Sequence, residues 1–272
     1  MRKLESYIGS AANPRVKAWA KLLDRKYRER EGMFLLEGVH LVKEALDAGW
    51  PLEAVVFDEG ADVFAQFEPY LDADDAAADG PAWVPASPDV IAKCSGTDTP
   101  QPIFAVARKR PPERDALFAR DKALVAALDG VQDPGNVGTI VRSAAACGAT
   151  AVVLGKGTAD LYNPKTIRAT MGALFHVPVL EGDLTELLPE ARERGATVAG
   201  TSLQSSRSCY DYDFGERSVW LVFGNEGSGM SANVSALVDD NLIIPMSGRA
   251  ESLNVAMAAT VLLFEAQRQR MK

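Results

Sequence analysis

ALVAALDGVQDPGNVGTIVRSAAACGATAVVLG, residues 123–155, is the stretch whose reading decides the fold class. Its first eight residues are a nearly unbroken apolar run, which reads as a strand buried on both faces. A turn through Asp133-Pro134-Gly135-Asn136 follows, and the Val, Ile and Ala spacing from Asn136 to Cys147 then reads as a helix, with Asn136 as its cap or near-cap. ATAVVLG (149–155) returns to a strand. Strand, helix and strand in this order predict an α/β domain built on a parallel sheet.

The pattern continues to the end of the chain. Strands are expected at 177–180, 196–201, 218–224 and 241–246, and helices at 165–171, 184–194, 230–238 and 252–269. Upstream, 14–30 reads as one amphipathic basic helix with Val16, Trp19, Leu22, Leu23 and Tyr27 on its apolar side. MFLLEG (33–38), EAVVFDEG (53–60), Trp83-Val84 and PIFAVARK (102–109) read as strands. Helices are expected at 40–50, 61–71 and 87–96, with an acidic loop at 72–80. RPPERDALFARD (110–121), with paired prolines and dense charge, reads as a linker. The expected domains are 1–110 and 121–272, with 111–120 between them.

Composition narrows the function classes. Of 272 residues, 47% are hydrophobic, enough for a sizeable core and too many for a disordered chain. Val255 to Phe264, the most apolar stretch, has ten residues against the roughly 20 that cross a bilayer. No apolar segment follows the basic N-terminus, so a cytoplasmic protein without a signal peptide is expected. Cys94, Cys147 and Cys209 are widely spaced and form no CxxC pair, which argues against a metal site. His40 and His176 lie near no GxSxG elbow, which disfavours a serine hydrolase. The net charge is −8, but residues 1–30 carry +6 and residues 51–100 carry −10. A basic face for nucleic acid is compatible with that asymmetry.

Open parallel sheets bind ligands beyond the carboxyl ends of their strands. Three such ends here carry unusual residues: LDGVQDPGNVGTIVRSAAACGA (128–149), LVFGNEGSGMS (221–231) and IIPMSGRAESLNVAMAATVLLFE (243–265). Taken singly, each also reads as an ordinary turn or helix cap, with Ser252 as the candidate cap of the last helix. The glycine order in 221–231 is neither GxGxxG nor GxxxxGK[ST], which weakens Rossmann and phosphate-loop readings.

Together, in this order and spacing, the three segments resemble the motifs of the SpoU/TrmH family of RNA ribose 2′-O-methyltransferases. FLLEGVHLVKEAL (34–46) resembles the family's substrate-binding domain more weakly. The resemblance implies an α/β fold with a C-terminal trefoil-knotted (SPOUT-type) parallel-sheet domain and a smaller N-terminal α/β RNA-binding domain. It implies S-adenosyl-L-methionine as cofactor, held around Thr201, Ser202, Leu203, Gly224, Ile244, Met246 and Leu253. At Gly224 a side chain is expected to fill the pocket. The family's catalytic set falls on Asn136, Arg142, Glu226, Ser252 and Asn254. The partners implied are RNA, most of all 23S ribosomal RNA, and a second copy in a homodimer, with no metal and no membrane. The basic helix suggests Arg15, Lys17, Lys21 and Arg25 as RNA contacts. The alternatives are a tRNA 2′-O-methyltransferase and a catalytically idle RNA-binding or ribosome-assembly protein of the same fold.

Overall fold

The computed structural model describes residues 4–71, 80–248 and 252–271, so the acidic loop falls almost wholly outside the described residues. In chain order the strands are β1 (Met33–Glu37), β2 (Leu52–Asp58), β3 (Ala82–Ala86), β4 (Ile103–Arg108), β5 (Leu124–Asp129), β6 (Ala151–Leu154), β7 (Val179–Glu181), β8 (Thr197–Thr201), β9 (Val219–Gly224) and β10 (Asp240–Leu242). The helices are α1 (Pro14–Lys21), α2 (Arg25–Glu31), α3 (Val39–Asp47), α4 (Glu68–Leu71), α5 (Pro88–Cys94), α6 (Pro134–Ala146), α7 (Pro164–Thr170), α8 (Leu184–Glu193), α9 (Ala232–Ser235) and α10 (Val255–Arg270). Two compact units result: Met1–Arg110 with Tyr162–Phe175, and Pro111–Leu161 with His176–Lys272.

The first unit is a four-stranded sheet in the order β1-β4-β2-β3, with β4 antiparallel to both neighbours and β2 parallel to β3. Val16, Trp19 and Leu22, with Val90, Ile91 and Cys94 of α5, pack on Leu35, Val56, Val84 and Phe104 of the sheet. The single helix expected over 14–30 is broken. Asp24 starts a new helix by accepting the Lys26 N–H at 2.8 Å. Arg28, one of the cations in the basic 1–30 segment, is buried and donates to the Leu22 and Leu23 carbonyls at 2.8 Å each, satisfying the end of α1. The helix expected over 61–71 is likewise two short pieces, a 3₁₀ turn at Phe64–Phe67 and then α4.

Tyr162–Phe175 joins this unit, although 121–272 was the expected second domain. The Tyr162 ring lies 4.7 Å from that of Phe34, α7 packs on β1, and Arg168 pairs with Glu37 at 3.4 Å. Aromatic burial and a half-buried ion pair therefore draw the segment out of the domain that its sequence position suggests.

The second unit is a six-stranded sheet in the order β10-β8-β9-β5-β6-β7, parallel throughout. On one face Val125, Val153, Val198, Trp220 and Val222 pack with Leu184, Leu187 and Leu188 of α8 and with Val234 of α9. Alternation along β5 turns Leu124, Ala126 and Leu128 to the other face, where α10 lies along β5 and β9 and packs on α6. The expected linker belongs to this unit. Leu117 is buried in its core, Phe118 stacks on Trp220 with ring centroids 5.9 Å apart, and Arg114 pairs with Glu190. Apolar side chains within the charged stretch explain the difference. The strand expected over 241–246 ends at Leu242, and the helix expected over 230–238 contracts to α9. Among the described residues no helix is long and apolar enough to cross a membrane.

Candidate functional site

Because the second sheet is parallel, the carboxyl ends of β10, β8, β9 and β5 lie side by side along one edge. At the end of β5 the chain turns and enters α6 through Asp133-Pro134. Asp133, not Asn136, is the cap: its Oδ1 accepts the Asn136 N–H at 3.0 Å. Proline fits the first helical position, where its missing N–H costs nothing. Asn136 thus sits in the first turn with its side chain released from capping.

The segment after β9 folds back on itself. Asn225 and Gly229 exchange backbone hydrogen bonds of 2.9 and 3.0 Å, and Gly229 adopts a φ of 71°. The Asn225 side chain organises the turn. Its Oδ1 accepts the N–H groups of Gly227 and Ser228, and its Nδ2 donates to the Gly130 carbonyl at 2.8 Å. A Cβ at Gly224 would lie 2.3 Å from Gly229 C and Met230 N. The need for glycine there comes from the returning loop rather than from a pocket, a correction to the sequence reading. Asp129 on β5 accepts the Ser231 N–H at 2.6 Å and ties the loop's far end to the sheet.

Before α10, Asn254 replaces Ser252 as the cap, its Oδ1 accepting from the Ala256 and Met257 N–H groups at 2.9 and 3.3 Å. Ser252 lies two residues earlier, exposed, and makes no hydrogen bond with a described residue.

These three ends meet through side chains. Asn254 Nδ2 donates to Asn136 Oδ1 at 3.0 Å, and Asn136 Nδ2 donates to Glu226 Oε1 at 2.9 Å. Glu226 also accepts the Gln132 and Asp133 N–H groups at 3.2 Å each. Burial alone would raise the Glu226 pKa, but the hydrogen bonds from Asn136 and from backbone N–H groups outweigh it and hold the carboxyl below its usual value. Of the five residues implied as catalytic, the structure joins Asn136, Glu226 and Asn254. Arg142 projects from α6, exposed, with no hydrogen bond or ion pair to a described residue.

The residues implied for the cofactor follow the neighbouring strands. Thr201 Oγ1 donates to the Val222 carbonyl at 3.4 Å, and the Ser202 N–H donates to the Leu242 carbonyl at 3.0 Å. Leu203 is 56% exposed and Leu253 is 42% exposed. Ile244 and Met246 are half-buried. The N–H groups of Ile244, Met246 and Leu253 make no hydrogen bond with a described residue. Apolar side chains beside free backbone donors are the groups that an adenine ring with its acceptor nitrogens requires, so these residues fit a nucleoside cofactor.

In the first unit, Arg15 pairs with Glu5 and lies 5.0 Å over the Trp19 ring. Lys21 lies 5.4 Å over Tyr27, and Arg25 is 3.8 Å from Glu29. Lys17 is exposed on α1, one turn from Lys21. His40 Nε2 contacts the Met171 carbonyl at 3.1 Å, and the three cysteines are buried thiols.

Residues 123–264 match the SpoU rRNA methylase family, and residues 13–105 match the MRM3-like substrate binding domain. The chain belongs to the SpoU rRNA methylase family. Every residue implied as catalytic or cofactor-binding lies inside the SpoU match, and all four candidate RNA contacts lie inside the other. A 23S rRNA (guanosine(2553)-2′-O)-methyltransferase of Bacillus subtilis is 40% identical over 261 residues, covering 94% of this chain and 97% of the relative. A 23S rRNA (uridine(2479)-2′-O)-methyltransferase of Streptomyces viridochromogenes is 31% identical, covering 96% and 92%. The AdoMet-bound crystal structure of an rRNA methyltransferase from Sinorhizobium meliloti superposes with a TM-score of 0.86 at 32% identity, covering 97% of each chain.

The sequence reading of the SpoU motifs passed over Asp133, Asp129 and Asn225 as functional positions. Asp133 was legible, since Asp-Pro before an apolar helix is a start signal. Asp129 and Asn225 act on backbone groups distant in sequence, which no local pattern reports.

Proposed function

We propose that this protein transfers a methyl group from S-adenosyl-L-methionine to a ribose 2′-hydroxyl of 23S ribosomal RNA. The observation that carries this reading is the Asn254–Asn136–Glu226 chain, which closes three strand ends of a SpoU domain into one site. The relatives named above act on a guanosine and a uridine of the same RNA, so the substrate class is carried over and the nucleotide is not.

Bound S-adenosyl-L-methionine supplies an electrophilic methyl on a positively charged sulfur. The chain's part is to hold that cofactor against Thr201–Leu203, Ile244, Met246 and Leu253, and to align the hydroxyl. Positioning of this kind can supply on the order of 7–11 kcal/mol of a barrier. The Arg142 guanidinium, exposed and unpaired among the described residues, suits a phosphate of the target and offsets the negative charge that grows on the 2′-oxygen. Asn136 and Asn254 hold the ribose, with Ser252 beside them. Arg15, Lys17, Lys21 and Arg25 bind RNA phosphates, which position the strand without reading its sequence.

The protein works in the cytoplasm as a homodimer, and its second domain follows the family's trefoil-knotted chain path. The support for a dimer is an exposed stripe along α10 and the residue that caps its end: Met257, Phe264 and Met271 recur every seven residues and are 51%, 42% and 78% exposed. Sedimentation velocity is expected to give twice the monomer mass, and Phe264→Asp to shift it toward monomer.

The test of the reaction is incubation with methyl-labelled cofactor and separate pools of unmodified 23S rRNA and tRNA. Label in the rRNA alone supports the proposal. Label in tRNA alone makes it a tRNA enzyme. Cofactor binding without label in either pool or in ribosomal particles favours an idle RNA-binding protein.

A further inference from the structure

The chain of hydrogen bonds at the site has a direction, fixed at both ends. At one end is the N-terminus of α10, which offers only donors, so Asn254 must turn its oxygen to the Ala256 and Met257 N–H groups. Its amide nitrogen then faces Asn136, which must present its own oxygen. At the other end is the carboxylate of Glu226, which only accepts, so Asn136 must present its nitrogen there. Both ends demand the same orientation of both amides, which removes the ambiguity that usually attends an asparagine side chain. Each amide nitrogen carries two hydrogens and uses one in the chain. One N–H of Asn136 and one of Asn254 are therefore left for another acceptor.

Glu226 is already occupied. Oε1 takes the Asp133 N–H and the Asn136 amide, and Oε2 takes the Gln132 N–H. A proton added to this carboxylate would turn an acceptor surrounded by donors into a donor facing one of them. The lowered pKa of Glu226 is consistent with that cost.

We infer that Glu226 is a positioning residue that sets the polarity of the site: it orients Asn136 and Asn254 so that each turns a spare N–H to a ribose or phosphate oxygen, and it does not receive the hydroxyl proton. This rests on the methyltransferase reading. As the 2′-oxygen bonds to the methyl carbon and the methyl–sulfur pair stays on sulfur, the proton passes from the oxygen to solvent. Asn136, Asn254 and Arg142 then turn donors to the charge that develops on the oxygen.

The experiment uses the full chain with Glu226→Gln, Asn136→Asp and the double variant. Asn136→Asp sets two carboxylates against each other, and Glu226→Gln turns an amide nitrogen either to the Gln132 N–H or to the Asp133 and Asn136 donors; each is expected to lower single-turnover methylation of 23S rRNA about 100-fold. The double variant again places an amide against a carboxylate but offers no N–H at position 136, so it is expected to regain stability in urea over Asn136→Asp without regaining the wild-type rate. Cofactor affinity serves as the folding control and should stay within about three-fold, because none of the residues assigned to the cofactor is changed. The log rate should rise with pH at the same slope in the wild type and in Glu226→Gln. A flat wild-type profile that acquires a slope in Glu226→Gln would mean that hydroxide replaces a lost base, and would overturn the inference. So would a double variant that methylates as fast as the wild type, because position 136 then turns no N–H to the RNA. A readout independent of activity is exchange of the Asn136 side-chain amide by NMR: one slowed proton in the wild type, exchanging faster once Glu226→Gln removes the charged acceptor, is expected, and equal exchange in both contradicts it. Wild-type protein that methylates no RNA would instead defeat the methyltransferase reading, and the NMR measurement would still decide the role of Glu226.

Discussion

At the carboxyl edge of the second sheet, polar side chains hold one another: Asn254, Asn136 and Glu226 are linked within 3.0 Å, and backbone N–H groups complete the carboxylate's shell. On α1 and α2 of the first unit, Arg15, Lys21 and Arg25 lie on the surface, against a neighbouring glutamate or an aromatic ring, and are free to exchange those partners. The contrast matches the roles proposed for the two regions. Methyl transfer needs an oxygen held in line to a fraction of an ångström, which only a cross-braced set of side chains supplies. Phosphate recognition needs charge that follows a flexible strand, and exposed ion pairs, worth about 0–1 kcal/mol, give way to it readily.

The largest effect that sharpens this contrast is expected at Arg142, the one implied catalytic side chain of α6 outside the braced set. Arg142→Ala should lower the single-turnover rate about 100- to 1000-fold while cofactor binding, read by calorimetry, stays unchanged. Next is the brace itself. Gly224→Ala puts a Cβ into the backbone of Gly229 and Met230, so the loop must move. A loss of about 1–3 kcal/mol in urea unfolding is expected, with weaker cofactor binding. The adaptable region should respond differently. Lys17→Glu, Lys21→Glu and Arg25→Glu combined should weaken RNA binding and lower the salt dependence of log K by about 0.7–0.9 for each phosphate no longer neutralised, with the rate at saturating RNA preserved. An unaltered salt slope would remove α1 and α2 from the RNA interface.

The smallest effect concerns acid. The hydrogen bond from Lys156, with those from Thr185, holds Asp183 at about 2 against an ordinary value of 3.8. A lowered folded-state pKa favours the fold above about 3.8, and that contribution disappears as the pH falls toward 2. The pair is exposed, so Asp183→Asn should leave neutral-pH stability nearly unchanged and flatten acid unfolding between these values. Unfolding curves collected across that pH range check it.

Sequence made the braced edge legible because its parts are local: a buried run, a glycine-rich turn and an asparagine before an apolar helix. What joins the parts was not legible. Nothing local says that Asn254 caps α10 instead of Ser252, or that Asp133 frees Asn136, because either residue type satisfies a helix start equally well. The break at Leu22–Asp24 was hidden for a related reason. Arg28 looks like one more surface cation until the Leu22 and Leu23 carbonyls need a donor. The placement of Tyr162–Phe175 in the first unit depends on a ring contact with Phe34 across more than a hundred residues, which periodicity does not carry.

On the proposed function, the joined strand ends of the SpoU domain methylate ribose in large-subunit ribosomal RNA. The most direct test is to treat unmodified 23S rRNA with the protein and cofactor, digest the product to nucleosides and identify the methylated one by mass spectrometry. A single 2′-O-methylnucleoside, lost with Arg142→Ala, is the predicted result. A methyl group on a base, or an equal yield from the Arg142→Ala protein, would contradict it.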